Sequence, residues 1–219
     1  MNRAPSIPSS LRQELADSGL TASVVSMDDP LYTDVIDLAS RSYGLLPEEL
    51  RSESDPHSEI YALSARDKVS GTITVTRMSR GYMESEEQFP RHLLLECGDQ
   101  LCTAFRFAVD RSLPPSRKIG LLVIRVAAMD AASLGARISI SATKLELLQF
   151  YRSLGFIELT TPVFTHKRLG TPHKLVALLA NSKRNSIVSD LCVGLPELTE
   201  TAIVAEYCLP DKQRFEPDL

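Results

Sequence analysis

The chain has no C-x-x-C pair, no zinc-ligand spacing, no P-loop and no glycine pattern of a dinucleotide-binding turn. Its four cysteines (Cys97, Cys102, Cys192 and Cys208) are scattered, and Glu96-Cys97-Gly98 carries no nucleophile signature. His166 and His173 stand too far apart in a turn-rich stretch to read as a metal pair, so no metal is expected. Residues 1–20 hold prolines, serines and charges where a secretory signal needs an apolar centre. The longest apolar stretch, residues 119–134, is broken by Arg125 and Asp130 and is too short to span a bilayer. Basic charge is not in excess: 24 Lys and Arg against 28 Asp and Glu leave a net charge of −4. These absences argue against nucleic-acid and membrane partners and lead us to expect a cytoplasmic protein with reduced thiols.

What is present is an ordinary globular composition. In 219 residues, 43% are apolar and 24% charged, enough to bury a sizeable core and to exclude a disordered or collagen-like chain. Residues 1–9 read as a flexible arm, followed by a short helix over 11–15 that ends near Gly19. The spacing then predicts a strand over 21–27, a helix over 31–43 stopped by Gly44, and one more turn over 47–51. Strands are expected over 59–65 and 72–77, then a mobile acidic loop over 81–90; residues 93–95 are too short to assign. The segment 102–110 is a strong strand, and Pro114-Pro115 turns the chain into a well-buried helix over 117–134 closed by Gly135. A strand over 137–142, a helix over 144–154 and strands over 156–164 and 175–180 follow, which implies crossover connections and an α/β sheet. The organisation expected is an N-terminal arm and short helix over 1–20, one domain over 21–181, and a C-terminal extension over 182–219. The extension would hold a helix, a short strand over 202–207 and a loose tail.

One string carries chemistry on its own terms. In Phe150-Tyr151-Arg152-Ser153-Leu154-Gly155-Phe156 a helix ends at a glycine suited to the left-handed stop, and Tyr151 lies one turn before it. Its phenol can face the mouth of the sheet while Phe150 packs inward. A phenol with a pKa near ~10 is suited to protonating a departing thiolate; the other reading is a packing residue with a wet tip.

Here the sequence resembles the GNAT superfamily of N-acyltransferases, in which the tyrosine of Y-x-x-x-G-F protonates the leaving sulfur. A second stretch, Arg117-Lys118-Ile119-Gly120-Leu121-Leu122, resembles the family's R/Q-x-x-G-x-G/A, whose helix-terminal amides hold the pyrophosphate of coenzyme A. Arg117 and Gly120 match, and the small final position holds Leu122, able to block close approach of the phosphates. A third, Arg106-Phe107-Ala108-Val109-Asp110, matches the strand E-x-S-R-F-A-V-D of the acyl-homoserine-lactone synthases, a branch that includes N-acyl amino acid synthases. The glutamate position of that strand holds Thr103, the serine position Phe105, and Lys144 stands where coenzyme-A-dependent relatives carry asparagine.

The resemblance implies an α/β fold of GNAT type: a mixed, mostly antiparallel sheet splayed between its two central parallel strands and flanked by helices. Pantetheine would add as an extended strand between the strand of Phe107 and Val109 and that of Ile138 and Ile140, with a backbone N–H near Phe107 and Val109 stabilising the oxyanion. It implies an acyl thioester, acyl-ACP or acyl-CoA, as cosubstrate, Tyr151 as the acid, and Glu59, ahead of His57, as a water-relayed base. Arg106 would bind a substrate carboxylate or merely a neighbouring acid, and Thr103 would line the substrate side. The function implied is N-acyl transfer to an amine such as an amino acid. Acyl carrier protein is the preferred donor, with Arg111, Arg117 and Lys118 meeting its acidic face. The alternatives are a coenzyme-A-dependent N-acetyltransferase and a non-catalytic acyl- or small-molecule-binding protein on the same scaffold.

Overall fold

The structure, a computed structural model, describes residues 3–113 and 116–179. Outside the described residues lie the Pro114-Pro115 turn, the whole extension over 182–219 with Cys192 and Cys208, and the side chain of Glu96. The β-branched segments form β1 (Thr21–Val25), β2 (Ser58–Ala65), β3 (Lys68–Arg77), β4 (Leu101–Val109), β5 (Ile138–Lys144), β6 (Ile157–Glu158), β7 (Phe164–Thr165) and β8 (Pro172–Leu179). They join in an 8-stranded sheet of order β1-β2-β3-β4-β5-β8-β6, with β7 beside β8. Every pairing is antiparallel except β4 with β5.

The helices are α1 (Ser9–Asp17), α2 (Pro30–Tyr43), α3 (Pro47–Leu50), α4 (Arg91–Cys97), α5 (Ser116–Ser133) and α6 (Leu148–Ser153). Asp29 caps α2 by accepting from the Leu31 N–H at 2.9 Å, Pro30 opens it, and Gly44, at φ 68°, ends it. α5 is the crossover that makes β4 and β5 parallel, and its apolar residues on most sides are buried as the sequence predicts. With α1 it covers one face of the sheet, over Tyr61, Ile73, Val75 and Cys102. On the other face α2 packs over Ile60, Ala62 and Ala108. Beside it, α4 and the segment before it cover Leu101, Ile138 and Ile140.

The centre of the sheet is irregular. Thr72 pairs with Ala108 but Thr74 with Phe105, so Arg106 and Phe107 together face Ile73 as a β-bulge. Arg106 takes a φ of 50°, a left-handed conformation that costs a residue with a side chain roughly 1–2 kcal/mol. Its guanidinium compensates: it grips both oxygens of Asp55 and donates to the Leu50 carbonyl at 3.0 Å. Asp55 also accepts from the Tyr32 phenol at 2.7 Å and from the Ser52 N–H at 3.2 Å. β4 pairs with β5 only from Leu101–Ile138 to Thr103–Ile140; beyond that point both strands continue and separate.

Four local expectations change. The arm before α1 is pinned, because the buried Asp130 of α5 draws the Arg3 guanidinium at 2.9 Å and the Ser6 N–H at 2.5 Å, and Arg3 bridges to Val24. The acidic loop over 81–90 is anchored by Met83 and Phe89, both buried in the second core. Lys144 ends β5, so the helix expected from it begins as the 3-10 turn Leu145–Leu147 and continues as α6. The strand expected over 156–164 survives only at its two ends, as β6 and β7, since Pro162 cannot donate to a ladder.

Replacing Asp55 by alanine leaves Arg106 charged and unpaired in the core. We expect a loss of about 3–5 kcal/mol in urea unfolding, as for other broken buried ion pairs; a change below about 1 kcal/mol would show that the pair does not hold the bulge.

Candidate active site

Where β4 and β5 separate, the gap is entered by a phenol from α6. The short helix stops at Leu154, Gly155 turns left-handed at φ 88°, and Phe156 packs edge-on against the Tyr151 ring at 5.0 Å. Phe150, expected to pack inward, is instead 37% exposed: α6 is barely longer than one turn, so turning Tyr151 into the gap turns its neighbour out. Burial pushes the Tyr151 phenol up to about 12, partly offset by its hydrogen bond with the Thr143 hydroxyl on β5. At neutral pH it therefore keeps its proton. A second phenol, Tyr43 at the end of α2, donates to the Phe107 carbonyl at 3.1 Å. Burial first, then the proximity of Tyr151 and Glu84, raises its pKa too.

A cavity of about 140 Å³ occupies the gap and extends to both faces of the sheet. On the α5 side its helix and β4 walls are apolar, Ala104, Ile124, Ala127, Ala128 and Ala131, while β5 adds the hydroxyls of Ser139, Ser141 and Thr143. The run of β4 from Phe107 back to Cys102, along which this wall lies, spans about 16 Å at the usual strand rise. The opposite side gathers the charged and titratable residues Glu84, Arg106, Lys144, His166, Arg168 and His173 among apolar Leu50, Phe105, Ala142 and Leu169. The cavity thus joins a mainly apolar channel to a chamber that carries charge through the opening between two strands.

The charged chamber is organised by the turn before β8. His166 Nδ1 accepts from the Arg168 and Leu169 N–H groups, both at 3.3 Å, which leaves its proton on Nε2, 3.8 Å from Glu84 Oε1. His173 Nδ1 donates to the Thr171 carbonyl at 2.8 Å. The two rings, which the sequence separates by a turn-rich stretch, lie 4.8 Å apart between centroids because β7 and β8 form a hairpin. Among the described residues, no group of three metal-binding side chains accompanies them. Arg168 donates to the Leu50 carbonyl at 3.2 Å and stands 3.8 Å from Glu84. Burial raises the Glu84 pKa, and Arg168 and Arg106 oppose that rise.

Of the residues singled out from sequence, Tyr151 and Phe107 meet at the gap. Val109 does not line it; it packs with Phe107 on Gly120, where an added Cβ would meet the Phe107 ring at 3.2 Å and Val109 at 3.3 Å. Gly120 is therefore tightly packed where helix and strand meet. Arg117 and Lys118 are exposed in the first turn of α5, and Leu122 is buried in the core. Thr103 is the last β4 residue paired with β5 and lies outside the cavity wall. Arg106 is occupied by Asp55, which removes it as a clamp for a substrate carboxylate.

Glu59 must also be corrected. Strand alternation places it with Tyr61 on the α5 side, two strands from β4, and its carboxylate bonds to Arg77 at 3.0 Å. It cannot reach the gap as a base. His57 is exposed, and its ring packs against Gly81. The sequence singles out neither Glu84 nor Arg168, and it raises His166 and His173 only to set them aside as a metal pair. Nothing in Glu84-Ser85-Glu86-Glu87 distinguishes the inward carboxylate from its neighbours except the adjacent apolar Met83.

The sequence model of the family described as N-acyl amino acid synthase FeeM matches residues 38–179. No curated protein sequence matches the chain. Among solved structures, that of FeeM, an N-acyl amino acid synthase from uncultured soil microbes, is 16% identical with a TM-score of 0.58 and covers 73% of this chain and 90% of its own. The AHL synthase LasI is 13% identical with a TM-score of 0.59, covering 78% and 94%. Aminoglycoside 6'-acetyltransferase type Ii is 18% identical with a TM-score of 0.51, covering 74% and 98%. At such identities these likenesses establish the fold, which is of the GNAT type.

One consequence is measurable without substrate. Burial, then His173 and Arg168, push His166 from 6.5 down to about 4. Between those values the unfolded chain takes up a proton that the folded chain refuses, so stability present above about 6.5 is lost as the pH falls towards 4. NMR titration should find the ring neutral, with its proton on Nε2, at pH 6; a midpoint at the ordinary imidazole value would contradict the buried position.

Proposed function

Because the chain belongs to the N-acyl amino acid synthase FeeM family, and is therefore an N-acyltransferase, we propose that it transfers an acyl group from acyl carrier protein to the amine of an amino acid. The observation that carries this reading is the opening between β4 and β5 beyond Thr103 and Ile140, with Tyr151 at its edge and an apolar channel behind it. An extended pantetheine arm fits such an opening as an added strand, bonding to backbone groups that no neighbour pairs. The thioester carbonyl then lies near the Phe107 backbone, whose N–H environment polarises it, and the acyl chain enters the channel lined by Ala104, Ala127, Ala128 and Ala131. Tyr151 gives its proton to the departing thiolate.

The start of α5 supports the carrier-protein donor. Coenzyme A presents a pyrophosphate that needs close backbone approach, whereas Gly120 is committed to Phe107 and Val109. Phosphopantetheine on a carrier protein brings one phosphate and an acidic protein surface. Arg111, Arg117 and Lys118 are exposed on this side, and the first turn of α5 holds no acid to oppose them. Arg117 would thus serve the carrier protein or its phosphate.

Mass spectrometry of products formed from acyl carrier protein and coenzyme A donors against a pool of amino acids tests this reading. N-acyl amino acids from the carrier-protein arm are expected; product from coenzyme A alone would overturn the donor assignment. Tyr151→Phe should lower kcat by about 10²–10⁴-fold with donor affinity unchanged, the usual worth of a positioned acid. Equal turnover would remove Tyr151 from the chemistry. Ala128→Leu should fill the channel and shift preference towards shorter acyl chains. Each buried methylene is worth about 0.8 kcal/mol, or roughly fourfold in selectivity; an unchanged chain-length profile in competition would place the acyl group elsewhere.

A further inference from the structure

The proposed reaction needs a base, since an amino acid at neutral pH arrives as an ammonium. Neither Thr103 nor Glu59 can supply one. On the charged side of the gap, Glu84 is the carboxylate that faces the cavity without a hydrogen bond to either oxygen among the described residues. Its nearest neighbours of opposite polarity, the Arg168 guanidinium and the neutral His166 Nε2–H, stand at 3.8 Å, too far for hydrogen bonds. Tyr43, Glu84 and Tyr151 all line this cavity, so base and acid face one space. Arg168 commits one nitrogen, Nη1, to the Leu50 carbonyl and keeps its remaining N–H groups for another partner.

We infer that Glu84 is the base that deprotonates the acceptor, and that Arg168 seats the acceptor's carboxylate. A zwitterionic amino acid carries one group for each: its ammonium meets Glu84 and its carboxylate meets the guanidinium fork. This inference rests on the amino-acid acceptor proposed above. The protons balance. Glu84 takes one from the ammonium, and the free amine attacks the thioester carbonyl. As the C–S bond breaks, Tyr151 protonates the sulfur. The phenolate then recovers a proton from the new amide nitrogen, and Glu84 releases its own to solvent.

The charged and titratable groups around Glu84 are His166 and Arg168 from the turn before β8, Arg106 and Asp55 behind them, Tyr43 on α2, and Glu87 on its own loop. Glu87 is held well down, at about 2, by its contact with Lys167, and does not compete for the proton. The neutral His166 keeps a donor directed at Glu84 across the working range.

The test uses the intact protein with a donor the wild type accepts, three acceptors (an amino acid, its carboxamide and hydroxylamine) and the variants E84Q, E84D and R168Q. With the amino acid, E84Q should lose about 10²–10³-fold in kcat with donor KM unchanged, and E84D should recover part of the loss. The E84Q rate should keep rising with pH towards the acceptor's own pKa, where wild type has already levelled off. Hydroxylamine, which is already neutral at pH 7, should close the gap between E84Q and wild type. R168Q should raise KM for the amino acid tenfold or more and leave the carboxamide unaffected. E84Q within threefold of wild type on the amino acid at neutral pH would overturn the base assignment, and thermal melts of E84Q and E84D at the wild-type temperature separate a catalytic loss from misfolding. If wild type acylates only amines without a carboxylate, the acceptor reading fails and Arg168's role with it, while Glu84 is judged by the same variants on that amine.

Discussion

The site depends on one buried ion pair. A continuous sheet would pair β4 with β5 along their whole length and leave no passage; the bulge at Arg106 breaks the pleat, and the pair between Arg106 and Asp55 holds it open. The bulge also restores the side-chain alternation. Cys102 and Ala104 face α5 before it, and Phe107 and Val109 face α5 after it, while Ala108 packs under α2. Without the extra residue, Phe107 would point to the opposite face and Gly120 would have nothing to accommodate. A local backbone cost of roughly 1–2 kcal/mol therefore sets the position of every group along the gap.

That opening separates two environments. The α5 side is walled by alanines and branched residues of α5 and β4, with the hydroxyls of Ser139, Ser141 and Thr143 along β5. The other side carries a carboxylate, a guanidinium and two imidazoles: the imidazoles are held by backbone groups of the turn before β8, the Arg168 guanidinium by the Leu50 carbonyl, and Glu84 by no hydrogen bond among the described residues. An acyl chain and an amino acid, the two substrates proposed above, are opposite in polarity, and a sheet with helices on both faces would offer each its own compartment. They would meet at the gap, beside Tyr151.

The legible parts were those encoded by neighbours in the chain. The β4 string, the buried α5 and the Tyr151-to-Phe156 turn each depend on a few adjacent residues, and the parallel β4–β5 pair follows from the helix that joins them. What was not legible depends on contacts distant in sequence. Glu84 is one acid in a run, selected by the anchoring of Met83 and Phe89 into a core built from β5, β6 and β8. The arm at Arg3 is fixed by Asp130, an acid inside a helix that reads as an interruption of an apolar stretch. Glu59 was misplaced for a simpler reason: in Glu59-Ile60-Tyr61-Ala62-Leu63 both faces of β2 are buried, so alternation gives no hint of which face meets the gap.

A phenol raised to about 12 is at first sight a poor acid for a thiolate, whose conjugate thiol is normally near 8.5. The mismatch would make proton transfer uphill by roughly three to four pKa units if the thiolate were in water. In the reaction proposed above it would leave inside the gap. Cys102, a thiol in the wall of the same cavity, is pushed up to about 11, first by burial. Burial would move a pantetheine sulfur in the gap in the same direction, which narrows its distance from the phenol. The low polarity that keeps Tyr151 protonated would thus also make a departing sulfur more basic.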